Sequence, residues 1–218
     1  MRFLNYYMSI KKNTCWFFGD SFTRGDNCHV GDEYYEYSYT EGCKRWSTIV
    51  SEKLSMEEKN TAYGGDSNMG ILSILLDNIK NIKSGDCVIL GDTRPVRVSS
   101  FNSDGNRINT INDPHYDYTR GNSKYILDYI YHEIIPHEDI YLEHYQKMFT
   151  SILNELSNRG VITLHWKHTD FWYPNHNKFN TIYKDTRGKV KDLHWAWSGH
   201  RKMANTILGL LGTRDTMI

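Results

Sequence analysis

The chain has 218 residues, a length that suits one domain of ordinary size, which buries roughly 70% of the surface its unfolded chain exposes. Lysine plus arginine and aspartate plus glutamate number 26 each, so the formal net charge is zero and no global field draws the chain to nucleic acid or to an anionic membrane. No segment reaches the roughly 20 apolar residues that span a bilayer, and residues 1–18 hold no apolar stretch followed by a small-residue cleavage site, so a soluble protein without a classical export signal is expected, cytoplasmic or virion-associated.

Taken in chain order, Cys15-Trp16-Phe17-Phe18 is a short apolar run, the pattern of a buried strand, and it delivers Gly19-Asp20-Ser21 at its carboxyl end. Residues 22–42 turn to Gly, Asp and Tyr and form a first insertion. Trp46, Ile49, Val50 and Leu54 then recur at helical spacing, which predicts a helix over 44–54. A brief strand is expected at 60–62, before Gly64-Gly65. An amphipathic helix follows from Met69 to Ile79, with Ser67 or Asn68 as its cap.

Cys87-Val88-Ile89-Leu90 is a second continuous apolar run, expected as a strand covered on both faces and closed by Gly91-Asp92. The polar stretch 96–137 is too long for a plain connection and is a second insertion, with a local helix expected around 125–131. A broad apolar face over 139–158 predicts a long helix capped by Gly160, then a strand at 161–166. A third insertion, 167–190, precedes a last helix near 198–211. Strands alternating with helices argue for a single α/β domain: an open parallel sheet with helices on both faces, whose ligands bind beyond the carboxyl ends of the strands.

Four cysteines, Cys15, Cys28, Cys43 and Cys87, show no C-x-x-C spacing, and reduced thiols are the simpler reading. His165-x-x-His168 with Asp170 supplies metal-ligand residue types, but two further ligands would have to come from distant segments. No metal and no other cofactor is expected.

The polar clusters carry the chemistry. Phe18-Gly19-Asp20-Ser21-Phe22 resembles the first motif of the SGNH, or GDSL-type, hydrolases, and three later segments arrive in that family's order: Asn60-Thr61-Ala62-Tyr63-Gly64-Gly65-Asp66-Ser67-Asn68, then Gly91-Asp92-Thr93, then Asp192-Leu193-His194 followed by Gly199-His200. The resemblance runs from Cys15 to the last helix and leaves the three insertions unmatched. It implies a three-layer α/β/α fold with a flavodoxin-like parallel sheet, and a serine esterase acting through an acyl-enzyme.

By that resemblance Ser21 is the nucleophile and His194 its base, because a serine hydroxyl near neutral pH needs a partner within about 2.6–3.2 Å to take its proton. Asp192 is expected to orient the imidazole. The family's aspartate more often stands three residues before the histidine, where this chain has Lys191; Asp192 stands two before, and side chains two apart in an extended segment share a side. The resemblance further implies an oxyanion hole made of the Ser21 and Gly65 backbone N–H groups and the side chain at Thr93. Gly65 suits this, since a residue without Cβ lets a reacting group approach the backbone. Thr93 replaces the family's usual asparagine with a shorter, rotatable hydroxyl.

Asn68, Arg94 and Trp195 are the expected substrate contacts, and Asn68 is also a substitute oxyanion donor. Arg94 and Arg97 follow the third strand and suit either a substrate anion or ion pairs of their own. His200 is expected to pack or to support the site. Aromatic residues make up 14% of the chain, and Tyr35, Tyr37, Tyr39 and Phe171-Trp172-Tyr173 stand in the insertions, as a sugar groove or as anchors for the loops. The substrate class this favours is an acetylated glycan or a related small ester. Two alternatives stay open: acyl transfer to a glycan alcohol on the same site, and a weakly active or inactive carbohydrate-binding protein of the same fold. The oligomeric state is not legible in the sequence.

Overall fold

The computed structural model describes residues 12–26, 43–94, 97–101, 107–111, 130–167, 183–184, 190–192 and 197–212. Its centre is a four-stranded parallel sheet of β1 (Thr14–Phe18), β2 (Glu57–Asn60), β3 (Cys87–Gly91) and a further strand, β6 (Ile162–Trp166), in the order β2-β1-β3-β6. Numbered within the sheet this is 2-1-3-4, the flavodoxin-like order, so the chain reverses its direction of growth between β1 and β3.

The two inner strands explain the layers. Successive side chains of a strand point to opposite faces. Cys15, Phe17, Cys87 and Ile89 pack on one side with Trp46, Ile49, Val50, Met203, Ala204 and Ile207. Those partners lie on helices α2 (Trp46–Lys53) and α5 (Trp197–Leu210). Trp16, Phe18, Val88 and Leu90 pack on the other side, with Ile71, Leu72, Leu75, Phe149, Leu153 and Leu156. These belong to α3 (Asn68–Asn78) and α4 (Glu138–Asn158). The result is the three-layer α/β/α sandwich with a flavodoxin-like sheet that the motif order implied.

Most elements fall within two residues of expectation, and three differ. The second strand is Glu57–Asn60 where 60–62 was expected: it is an edge strand whose polar residues are fixed by backbone pairing with β1, not by an apolar pattern. Where the first insertion is expected to begin, at residue 22, the chain instead forms a one-turn helix, α1 (Ser21–Arg24). The second insertion holds an antiparallel hairpin of β4 (Val98–Phe101) and β5 (Arg107–Ile111). The helix expected over 125–131 falls mostly outside the described residues; 130–134 is a π-helical turn running through a 3-10 turn into α4. Ser67 is the α3 cap, accepting a hydrogen bond from the Gly70 N–H at 3.1 Å. Among the described residues no helix is long and apolar enough to cross a membrane.

Candidate active site

Burying a polar group without a partner is unfavourable, so a cluster of buried polar residues marks a place where something other than packing is required. Twelve polar or charged residues are buried among those described, and seven of them gather at one edge of the sheet: Asp20 and Ser21 after β1, Asp66, Ser67 and Asn68 after β2, and Asp92 and Thr93 after β3. These are three neighbouring strands. The cluster therefore sits at their carboxyl ends, across the β1/β3 switch point where sheets of this order bind ligands.

The Ser21 turn is held from several directions. Asp20 is the N-cap of α1, its Oδ1 accepting from the Phe22 N–H at 3.0 Å. The Trp46 indole donates to the Phe22 carbonyl at 2.8 Å, and Asn60 Nδ2 donates to the Thr23 carbonyl at 2.8 Å, so the orphan carbonyls of a four-residue helix are satisfied by side chains from α2 and β2. Gly25 ends the turn in the left-handed region, φ 86°. A Cβ on Gly19 would collide with Thr23, which is why a strand can turn into a helix here within two residues. Ser21 itself is 3% exposed.

Beside it, Asn68 and Thr93 form a closed pair. Asn68 Nδ2 donates to the Thr93 carbonyl at 2.7 Å, and the Thr93 N–H donates to Asn68 Oδ1 at 2.8 Å. The first residue of α3 thus fixes the backbone that leaves β3. The Thr93 hydroxyl donates to Asp20 Oδ2 at 3.0 Å, while Arg97 Nη1 donates to that hydroxyl at 2.7 Å and to Asp20 Oδ2 at 2.6 Å. Gly65 lies at φ 72°, in the left-handed region where a side chain is disfavoured, in the turn joining β2 to α3.

A second polar group lies one strand further along. Asp92 Oδ2 accepts from Gln146 Nε2 at 3.1 Å and stands 3.4 Å from His165 Nε2, whose ring packs edge-on against Phe149. Sequence reading assigned no partner to Asp92. The signal was only the Gly91-Asp92 step closing an apolar run, and its partners come from elements 54 and 73 positions away in sequence.

The structure sets Asp20, the residue before Ser21, against Thr93, and Thr93 against Asn68, with Arg94 following Thr93 in the chain; the Arg94 Nε is buried without a hydrogen-bond partner among the described residues. His194 and Trp195 lie outside the described residues. Asp192 is placed by its backbone at the end of β8 (Val190–Asp192), paired with Tyr183 of β7 (Tyr183–Lys184) in a separate antiparallel ribbon. His200 is buried on α5, its Nε2 3.3 Å from the Asp26 carbonyl, so it packs that helix against the segment leaving α1.

The order of the strands, and of the polar clusters at their ends, fits the resemblance of the motifs to SGNH hydrolases. The first three SGNH-like motifs leave adjacent strands and meet at one sheet edge, as the motif order requires. No family model and no curated protein matches the sequence. Among solved structures, the chain is similar to a carbohydrate esterase at 12% identity and a TM-score of 0.39, covering 94% of this chain and 66% of that one, just under two thirds of its length. It is similar to the acetyl xylan esterase AlAXEase at 17% identity and a TM-score of 0.39, covering 90% and 98% of the two chains. A lipase/acylhydrolase from Enterococcus faecalis is similar at 14% identity and a TM-score of 0.36, covering 94% and 100%.

Proposed function

We propose that this protein is a serine esterase that hydrolyses a short acyl ester, with an acetyl group on a carbohydrate as the substrate class. The observation that carries the reading is the placement of Ser21: a serine opening a capped helical turn at the carboxyl end of a central strand, beside the strand-end loops that hold Asn68 and Thr93. An N–H that begins a helix has no carbonyl four residues back to pair with, so the Ser21 amide is suited to meet developing negative charge.

In this reaction Ser21 Oγ attacks the ester carbonyl while His194 takes the hydroxyl proton, forming the Oγ–C bond and moving the carbonyl electron pair to oxygen. The N–H groups of Ser21 and Gly65 stabilise that oxyanion. Collapse breaks the bond to the alcohol, which leaves with the proton from His194. Water, deprotonated by His194, then attacks the acyl-enzyme and releases the acid, restoring Ser21. Asp192 orients His194, and Arg94 and Trp195 contact the substrate, while Asn68, closed on the Thr93 backbone, holds the adjoining loop.

The test is hydrolysis of chromogenic acetate and butyrate esters by the wild-type chain and by Ser21→Ala. The reading requires acetate turnover that is lost in Ser21→Ala. Equal rates for the two proteins would remove it.

One observation favours a second reading, a glycan-binding protein of the same fold with weak or no hydrolysis. The Thr93 hydroxyl, the residue at the third oxyanion position, already gives its proton to Asp20. Binding of an acetylated glycan, without an adduct on Ser21 after treatment with a fluorophosphonate, would select that reading.

A further inference from the structure

We propose that Arg97 is a positioning residue of the Ser21 site, one that offsets the buried charge of Asp20 and fixes the Thr93 hydroxyl. The inference rests on the esterase reading and assigns a role outside the triad and the oxyanion donors.

A carboxylate is a costly group to bury beside a nucleophilic serine. Asp20 is 2% exposed, and one of its oxygens caps the turn that begins with Ser21. When the substrate carbonyl becomes an oxyanion at the Ser21 amide, a bare Asp20 would stand one residue away as a second negative charge in a desolvated site, where Coulomb repulsion is poorly screened. The Arg97 guanidinium meets the other Asp20 oxygen at 2.6 Å, with a side chain that is itself only 16% exposed. The pair is therefore sheltered from water, and the carboxylate presents little net charge to the reaction centre.

The same nitrogen fixes Thr93. A threonine hydroxyl has one proton and two lone pairs. Here it accepts from Arg97 Nη1 at 2.7 Å and donates to Asp20 Oδ2 at 3.0 Å, which settles its rotamer and commits its proton. The position that carries an asparagine amide in SGNH hydrolases is in this chain one corner of an Asp20–Thr93–Arg97 triangle. Charge compensation by Arg97 takes over part of the work that a fixed amide donor would do at the oxyanion.

The test uses the full chain and a neutral acetate ester, with the rate of Ser21 labelling by a fluorophosphonate as a second readout. Arg97→Met is expected to lower kcat by at least about tenfold with KM little changed, because the repulsion it uncovers acts on the charged transition state. Arg97→Lys keeps a cation and is expected to hold kcat within about threefold of wild type. The deciding variant is the double substitution Asp20→Asn with Arg97→Met, in which neither charge remains and the asparagine side-chain oxygen still caps α1. It is expected to regain most of the rate lost in Arg97→Met. Circular dichroism melts confirm that each variant is folded. A folded Arg97→Met with wild-type kcat, a loss confined to KM, or a double variant no faster than Arg97→Met would each overturn the inference while leaving the esterase reading standing. A wild-type chain that neither turns over acetate nor labels at Ser21 would instead overturn the esterase reading.

Discussion

Asn68 and Thr93 stand 25 positions apart in the chain and are joined by two hydrogen bonds, at 2.7 and 2.8 Å, between one side-chain amide and one backbone unit. Both residues are buried. The pair ties the start of α3 to the end of β3 and so sets the spacing between two of the three loops around Ser21.

Removing that amide leaves a buried N–H and a buried carbonyl unpaired. Asn68→Ala is expected to cost about 3 kcal/mol of folding stability. Urea unfolding followed by circular dichroism measures this. Asn68→Asp keeps the acceptor but sets an oxygen against the Thr93 carbonyl, and is expected to recover less than half of the loss.

At the opposite end of the sheet, the carboxylate of Asp86 gathers three donors: the Thr14 N–H at 2.8 Å, the Lys83 N–H at 3.0 Å and the Trp16 indole at 3.1 Å. It anchors the first residue of β1 to the loop that precedes β3. Asp86→Ala strands all three donors and is expected to cost at least about 3 kcal/mol, while leaving the wild-type response to Ser21 labelling in the protein that remains folded. A midpoint of unfolding within error of wild type would show that the anchor is not required.

Cys15 and Cys87 face each other in register on β1 and β3, both fully buried free thiols. The hydrogen bond between the two thiols, and then burial, push the Cys15 pKa up from its ordinary 9.0. A thiol whose folded pKa is raised binds its proton more tightly when folded. Its contribution to stability is therefore complete below pH 9.0 and is lost as pH rises above it. Thermal melts of the wild type are expected to fall more steeply above that pH than those of Cys15→Ala. Brief alkylation at about pH 8 is expected to modify half-buried Cys43 before Cys15 or Cys87, as read by mass spectrometry.

Gly91 pairs with Trp166 across β3 and β6, and the indole lies where a Gly91 side chain would be. Gly91→Ala forces the ring out of its place and is expected to cost about 1–3 kcal/mol, visible as a lowered melting temperature and changed tryptophan emission. Unchanged emission and melting would show that the ring moves freely.

The buried strands β1 and β3 were legible in the sequence because strands covered on both faces must be apolar at every position, and runs such as Trp16-Phe17-Phe18 and Val88-Ile89-Leu90 carry that mark. The helices α3 and α4 were legible through their apolar stripes, while the choice of Ser67 over Asn68 as the α3 cap came from the structure. Edge strand β2, with Glu57, Glu58, Lys59 and Asn60, carries no such mark, because what holds it is the backbone ladder to β1 and the hydrogen bonds of Glu58 and Asn60 to residues of other elements. The one-turn helix α1 is too short for a period to show; its carbonyls are satisfied by Trp46 and Asn60, residues from later elements.

The candidate site divides in the same way. The sequence alone determined which polar residues follow the strands, since Gly19-Asp20-Ser21, Asn68 and Gly91-Asp92-Thr93 are local patterns at the ends of local elements. Only the tertiary structure decided their partners. That Asp20 meets Thr93 and Arg97, 73 and 77 positions later, follows from the 2-1-3-4 strand order, which sets the end of β1 beside the end of β3. Hydrogen bonds form over about 3 Å, and no local spacing in a chain records which distant groups folding will bring within that reach.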